Sequence, residues 1–116
     1  MERTRIGFDR ESVTPVMTVA PNRPIYGVVG GISLYMGERF SLGPNIFGYS
    51  REGALKVEID RYRTSEGESW YGEVFTKRYR SEQITICSAS GQSLQEVVTQ
   101  LNLDLGQIRH ALSDAP

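Results

Sequence analysis

Residues 55–80, LKVEIDRYRTSEGESWYGEVFTKRYR, decide the fold that this sequence predicts. Within residues 55–60 apolar and charged side chains alternate, which is the two-residue period of a strand with one buried face. The polar segment 64–69 is typical of a turn, and a second strand is expected over 70–80. A third strand is expected over 83–88, so the pattern predicts an antiparallel meander built around a long β-hairpin.

The stretch before this hairpin is almost uncharged. Residues 25–50 contain only Glu38 and Arg39 as charged residues, together with six glycines that each cost about 1 kcal/mol in a helix interior. We therefore expect strands, kinked or bulged at Gly30–Gly31 and followed by a turn at 43–45. So little charge fits a sheet buried on both faces or covered by another chain, which predicts a homo-oligomer with a dimer favoured.

The C-terminal stretch carries the signals of helices. Ser93 and Glu96 match the Ser-x-x-Glu capping box, and apolar residues follow at helical spacing at Leu94, Val97, Val98 and Leu101. Asn102 is typical of a left-handed helix stop. The capping pattern then repeats before a second apolar series at Leu105, Ile108 and Leu112. The sequence therefore predicts two short helices.

Together these patterns predict an α+β fold. We expect an antiparallel, strongly twisted sheet of about five or six strands with a C-terminal helix pair packed on one face. A length of 116 residues favours one domain over 1–116. Within it, residues 1–24 form an extended arm or edge strands because prolines interrupt them, 25–88 form the sheet, and 93–113 are helical.

Composition excludes several classes of protein. Thirteen basic against fourteen acidic residues create no long-range field for polyanions, which argues against bulk packaging of nucleic acid. The single Cys87 excludes an internal disulfide, and with the single His110 it leaves no Cys/His zinc cluster, so we expect no metal and no cofactor. No apolar run approaches the roughly eighteen residues of a membrane span. These features predict a cytoplasmic protein without a membrane partner.

Arginine supplies most of the basic charge, and the hairpin interleaves it with tyrosine. Arginine beside aromatic rings on a sheet can stack bases and hold phosphates. Our leading hypothesis is a small non-catalytic binding or regulatory protein that holds a macromolecular partner or an anionic ligand, such as a nucleotide or nucleic acid, on this surface. In the alternative, acidic neighbours neutralise the arginines in ordinary cross-strand pairs. The candidate residues are Arg61, Arg63, Arg78, Tyr79 and Arg80.

Two further functions remain as alternatives. The predicted helix pair resembles a helix-turn-helix unit, in which Gln107, Arg109 and His110 would face DNA in a regulator, although such a pair can also simply cover a sheet. A structural assembly or virion-type component would instead use residues 25–50 as subunit contacts. Catalysis is not expected, because Cys87 and His110 lack the flanking motif of a nucleophile–base dyad.

Overall fold

The structure is a computed structural model that describes residues 3–7, 13–19, 22–37, 46–76 and 83–113. Within these ranges the chain forms nine strands and one helix. The strands are β1 (Thr4–Ile6), β2 (Met17–Val19), β3 (Arg23–Ile25), β4 (Gly27–Val29), β5 (Ile32–Met36), β6 (Ile46–Tyr49), β7 (Leu55–Thr64), β8 (Gly67–Thr76) and β9 (Thr85–Gly91), and the helix is α1 (Leu94–Ser113).

The main sheet is a curled antiparallel meander. Strands β4 to β9 lie side by side in chain order, which confirms the predicted meander. β1 and β6 pair with the same edge of β7. β6 pairs with the first part of β7, and β1 pairs with residues 61–63. β2 and β3 form a separate two-stranded ribbon. The first residues of the predicted arm thus add to the sheet, and the following ones build the ribbon.

The predicted hairpin is formed by β7 and β8. Ser65 and Glu66 make its turn, and the Thr64 hydroxyl donates to the Gly67 carbonyl oxygen at 3.0 Å. Val57 and Ile59 are fully buried on the face toward α1, as their alternation with charged residues predicts. The predicted strand over 70–80 can be compared only as far as Thr76, where β8 ends, because residues 77–80 lie outside the described ranges.

The hydrophobic core lies between the sheet and α1. Val97 and Leu101 are fully buried and Leu105 nearly so, one helical turn apart along the helix. Each such side chain stabilises the fold by about 1.5–3 kcal/mol through removal of apolar surface from water. The sheet supplies the opposite wall of the core with Val29, Leu34, Ile46, Val57, Ile59 and Val74.

The predicted helix pair is wrong, although the fold remains broadly α+β. Residues 94–113 form one continuous helix of 20 residues. The helix does not stop at Asn102, because its side chain bonds to the backbone of β4 and the apolar spacing continues unbroken to Leu105. Asp104 does not cap a second helix but accepts a hydrogen bond from Gln100, at 2.9 Å, within the first. In the described part of the chain, no helix is long and apolar enough to span a membrane.

Gly30 and Gly31 form a tight turn rather than the predicted kink or bulge. They connect β4 to β5 directly, with Val29 paired to Ile32 across the turn. Their φ angles are +57° and +82°, and a two-residue hairpin loop with positive φ at both positions favours glycine there. The turn expected at residues 43–45 lies outside the described residues.

Candidate functional site

A groove of about 530 Å³ opens beside the N-terminal end of α1. The helix forms one wall, the start of β4 forms another, and Trp70 of β8 lies between them. No charged side chain lines the groove among the described residues. Its apolar surface comes mainly from Val16, Tyr26, Val28, Trp70, Leu94 and Val98.

The first turn of α1 is held rigidly at one end of this groove. The Glu96 N–H donates to the Ser93 hydroxyl at 3.1 Å, as the capping box predicts. The Glu96 carboxylate accepts the N–H of Gln92 at 2.7 Å, one residue earlier in the chain than the usual capping-box partner. Because both bonds fix the chain where it enters the helix, Gln92 and Ser93 hold defined positions on the rim of the groove.

At the edge of β4 beside the groove, backbone groups of Val28 point away from the sheet. The Asn102 amide donates to the Val28 carbonyl oxygen and accepts the Gly30 N–H, each at 2.8 Å. In a strand the N–H and C=O of one residue point to the same side, so the Val28 N–H also points to this edge. The groove therefore combines an apolar floor with a backbone donor.

Val16 adds exposed apolar surface to the groove, where it is 61% exposed. Met17 and Val19 of β2 are also exposed, at 51% and 38%, but the alternation of side chains along the ribbon places them on the opposite face from Val16. Exposed apolar surface is typical of interaction sites. The sequence did not indicate this feature, because it predicts residues 1–24 only as an arm and does not place them beside α1.

The predicted arginines of the hairpin are only partly described. Arg61 is half-buried, donates to the Gly7 carbonyl oxygen at 2.7 Å and lies 6.0 Å from the ring centre of Trp70. Arg63 is exposed and pairs with Glu68 at 3.6 Å. Both share the face of β7 that carries the core residues, rather than the face of the tyrosines. The other candidates, Arg78, Tyr79 and Arg80, lie outside the described residues.

A cluster of arginine and tyrosine does form, but on the opposite face of the sheet. The guanidinium of Arg3 lies 5.4 Å from the ring centre of Tyr62 and 5.8 Å from that of Tyr71. Arg5 donates to the Tyr62 hydroxyl at 3.2 Å and contacts Asp60 at 3.3 Å. The hydrogen bond to Tyr62 outweighs burial and, helped by Asp60, raises the pKa of Arg5. Only the pairing of β1 with β7 assembles this cluster.

Most charges around this cluster already pair within the sheet. Lys56 contacts Glu58 on the same strand. The Tyr71 hydroxyl donates to Glu73 at 2.6 Å, and this bond, with burial, raises the pKa of Tyr71. The alternative of cross-strand neutralisation applies to Arg63, which pairs with Glu68 of β8, whereas these pairs involve a lysine on its own strand, a tyrosine and Arg5 of β1.

The residues proposed to face DNA all lie on α1 and do not form one surface. All three residues are exposed, but the Arg109 side chain donates to the Gly30 carbonyl oxygen of the sheet at 3.3 Å. Because residues 94–113 are one helix, the helix-turn-helix arrangement on which that hypothesis depended is not formed there.

Reactive and metal-binding groups are sparse in the described ranges. Burial raises the pKa of the Cys87 thiol, and the negative charge of Asp104 raises it further, which disfavours the nucleophilic thiolate. Among the residues that the structure describes, no group of three or more His, Cys, Asp or Glu could hold a metal ion. No protein-family model, curated protein or solved structure matches the chain.

Proposed function

We propose that this chain is a non-catalytic binding protein whose groove holds an apolar segment of a partner protein. The observation that carries the proposal is the uncharged groove between Trp70 and α1, to which the exposed Val16 adds apolar surface. Polar groups beside the apolar lining support a polypeptide partner, because a peptide backbone can form hydrogen bonds with them.

The lining indicates the chemistry of the bound segment. The volume lies within the range of about 300–1,000 Å³ that accommodates compact ligands, and it can receive a few apolar side chains. An ionised group is disfavoured, because burying a charge without a partner is costly. The polar side chains of Gln92, Gln95 and Thr99 and the Val28 N–H can orient the backbone of an extended peptide.

Trp70 provides a direct readout of binding. It is the only tryptophan of the chain and it lines the groove, so its fluorescence emission should change when the groove is occupied. Peptides selected from a displayed library without tryptophan should be enriched in uncharged sequences with apolar anchors. Their titration should shift the Trp70 emission and saturate.

Two variants test the location of the site. Thr99→Phe should fill the rim of the groove and weaken peptide binding, and Val16→Ser should weaken it by removing apolar contact. Leu103→Ser is the matched control, because Leu103 is 55% exposed on the same helix but does not line the groove. If Val16→Ser and Leu103→Ser weakened peptide binding equally, the groove would not be the binding site.

A second candidate function is binding of an anionic ligand by the arginine and tyrosine side chains of the sheet. The position of Arg3 over Tyr62 and Tyr71 favours it, since bases stack on such rings while arginine contacts phosphate. A single-stranded oligonucleotide should then bind with an affinity that falls as salt rises. Arg3→Ala should weaken this binding, whereas Arg51→Ala, which removes an exposed arginine outside the cluster and outside the hairpin candidates, serves as the control. Arg78→Ala combined with Arg80→Ala tests the original hairpin residues in the same titration.

A further inference from the structure

The two edges of the main sheet are covered to different extents. At the β4 edge, the Asn102 amide pairs with the backbone of Val28 and Gly30 as a neighbouring strand would. Arg109 adds a hydrogen bond to the Gly30 carbonyl oxygen at 3.3 Å. Side chains of α1 therefore cover the end of this edge at the Val28 carbonyl and Gly30, which prevents a regular strand from pairing along it.

β9 forms the opposite edge and pairs only with β8 among the described strands. The two-residue turn at 65–66 makes Thr64 and Gly67 a hydrogen-bonded pair, and bonded and non-bonded pairs alternate along antiparallel strands. The same alternation continues from β8 to β9, so the N–H and C=O groups of Ala89 form hydrogen bonds with β8. The N–H and C=O groups of Ser88 and Ser90 therefore point away from the sheet.

The sequence of this edge lacks two of the usual protections against strand pairing, charged residues and proline. Residues 83–92, QITICSASGQ, include no charged residue and no proline. Edge strands in natural proteins generally carry such residues or a bulge that prevents pairing with another chain. The one irregularity of β9 lies opposite Val74 and Phe75, near its beginning, so residues 87–91 stay in regular register.

We propose that β9 pairs with β9 of a second copy, antiparallel about a two-fold axis at Ser88. In this register Ser88 lies opposite the partner's Ser88, and the two residues exchange a pair of backbone hydrogen bonds, while Ser90 lies opposite the bulge of the partner's strand. Cys87 lies opposite the partner's Ala89. These side chains are small and uncharged, so the strands can approach to the ordinary spacing of about 4.8 Å without repulsion.

A second copy is favoured over an unrelated strand because a symmetric pair completes both sheets. The contact uses the open edge of each copy, and the β4 edges are already covered by α1, so the assembly closes as a dimer and does not grow. The groove lies on the β4 side of α1, so this interface is independent of the proposed binding function.

Sedimentation velocity over a concentration series tests the dimer. The experiment uses the full chain at about 150 mM salt, which screens Asp104 and the other acidic side chains of α1. The unmodified chain should sediment at twice the monomer mass of 13.0 kDa. Ser88→Lys should shift it to monomer because like charges lie directly opposite, whereas the neutral Ser88→Thr should remain dimeric.

Circular dichroism checks that both variants keep the fold. A folded Ser88→Lys variant that remains dimeric would overturn the proposal, and so would an unmodified chain that stays monomeric at every concentration.

Cross-linking tests the register independently. With Cys87→Ala removing the natural thiol, Ser88→Cys places two thiols opposite each other at the axis, within the distance that a disulfide spans. Mild oxidation should yield a covalent dimer. Glu66→Cys in the same background is the control, because Glu66 is exposed in the turn between β7 and β8, far along β8 from the partner of Ser88, and it should stay monomeric on a non-reducing gel. Equal cross-linking of the two variants would contradict the proposed axis.

Discussion

Gly48 shows how a single residue depends on contacts that are distant in sequence. It lies in β6, where a Cβ atom would collide with the Ser33 carbonyl oxygen and approach the Ile32 Cγ2 to 2.8 Å. Because one of these neighbours is backbone, a small rotation of a side chain cannot make room. The sequence predicts a kink or bulge only at Gly30–Gly31, and the packed sheet shows that Gly48 is a site of close backbone approach.

Replacing Gly48 by alanine should strongly destabilise the fold. We expect Gly48→Ala to lower the free energy of unfolding by about 3 kcal/mol, because the new methyl group overpacks a site next to backbone. Gly106→Ala should instead raise it by about 0.5–1 kcal/mol, since Gly106 is in the helix with no neighbour near its Cβ position. The midpoints of urea unfolding measure both. Similar effects of the two substitutions would contradict the packing described for β6.

At the scale of elements, α1 shows which helix signals are reliable. The capping residues Ser93 and Glu96 marked the beginning of the helix correctly, because capping is a local interaction between near neighbours. The predicted stop at Asn102 was wrong, because the residue keeps a helical backbone while its side-chain amide bonds outside the helix. The backbone of β4 provides the partner of this amide.

The N-terminal cap can be tested by shortening one side chain. Ser93→Ala removes the acceptor of the Glu96 N–H and should lower the free energy of unfolding by about 1 kcal/mol. Ser93→Gly should lower the free energy of unfolding by only a few tenths of a kcal/mol, because water reaches the freed N–H more easily. Thermal unfolding followed by circular dichroism at 222 nm measures the difference. A larger loss for glycine than for alanine would show that the hydroxyl is not the stabilising group.

At the scale of the whole molecule, the described parts of the uncharged stretch, residues 25–37 and 46–50, are buried to a large extent by the chain itself. The sheet and α1 bury four of their apolar side chains almost completely, namely Ile25, Val29, Leu34 and Ile46. The burial that suggested a second copy over this stretch is therefore supplied within the monomer. The homo-oligomer stays a prediction, and the structural argument for it now rests on β9.

The contact between α1 and the β4 edge can be tested by removing one side chain. Asn102→Ala deletes two hydrogen bonds to the backbone and should lower the free energy of unfolding by about 1–2 kcal/mol. It should also speed amide hydrogen exchange at Gly30, which loses its acceptor. Gln100→Ala, which removes only a bond to Asp104 within the helix, is the control. Unchanged exchange at Gly30 in Asn102→Ala would contradict the described contact.

The sequence by itself determined the local features of this protein. The alternation in residues 55–60 and the Ser93 cap depend on neighbours a few residues apart, so the hairpin and the start of α1 could be predicted. Tertiary structure decided the rest. The single helix, the groove beside Trp70 and the contacts of Arg3 with Tyr62 each bring together segments that are distant in sequence. Their pairing depends on the total burial and hydrogen bonding of the folded chain, and no local pattern records it.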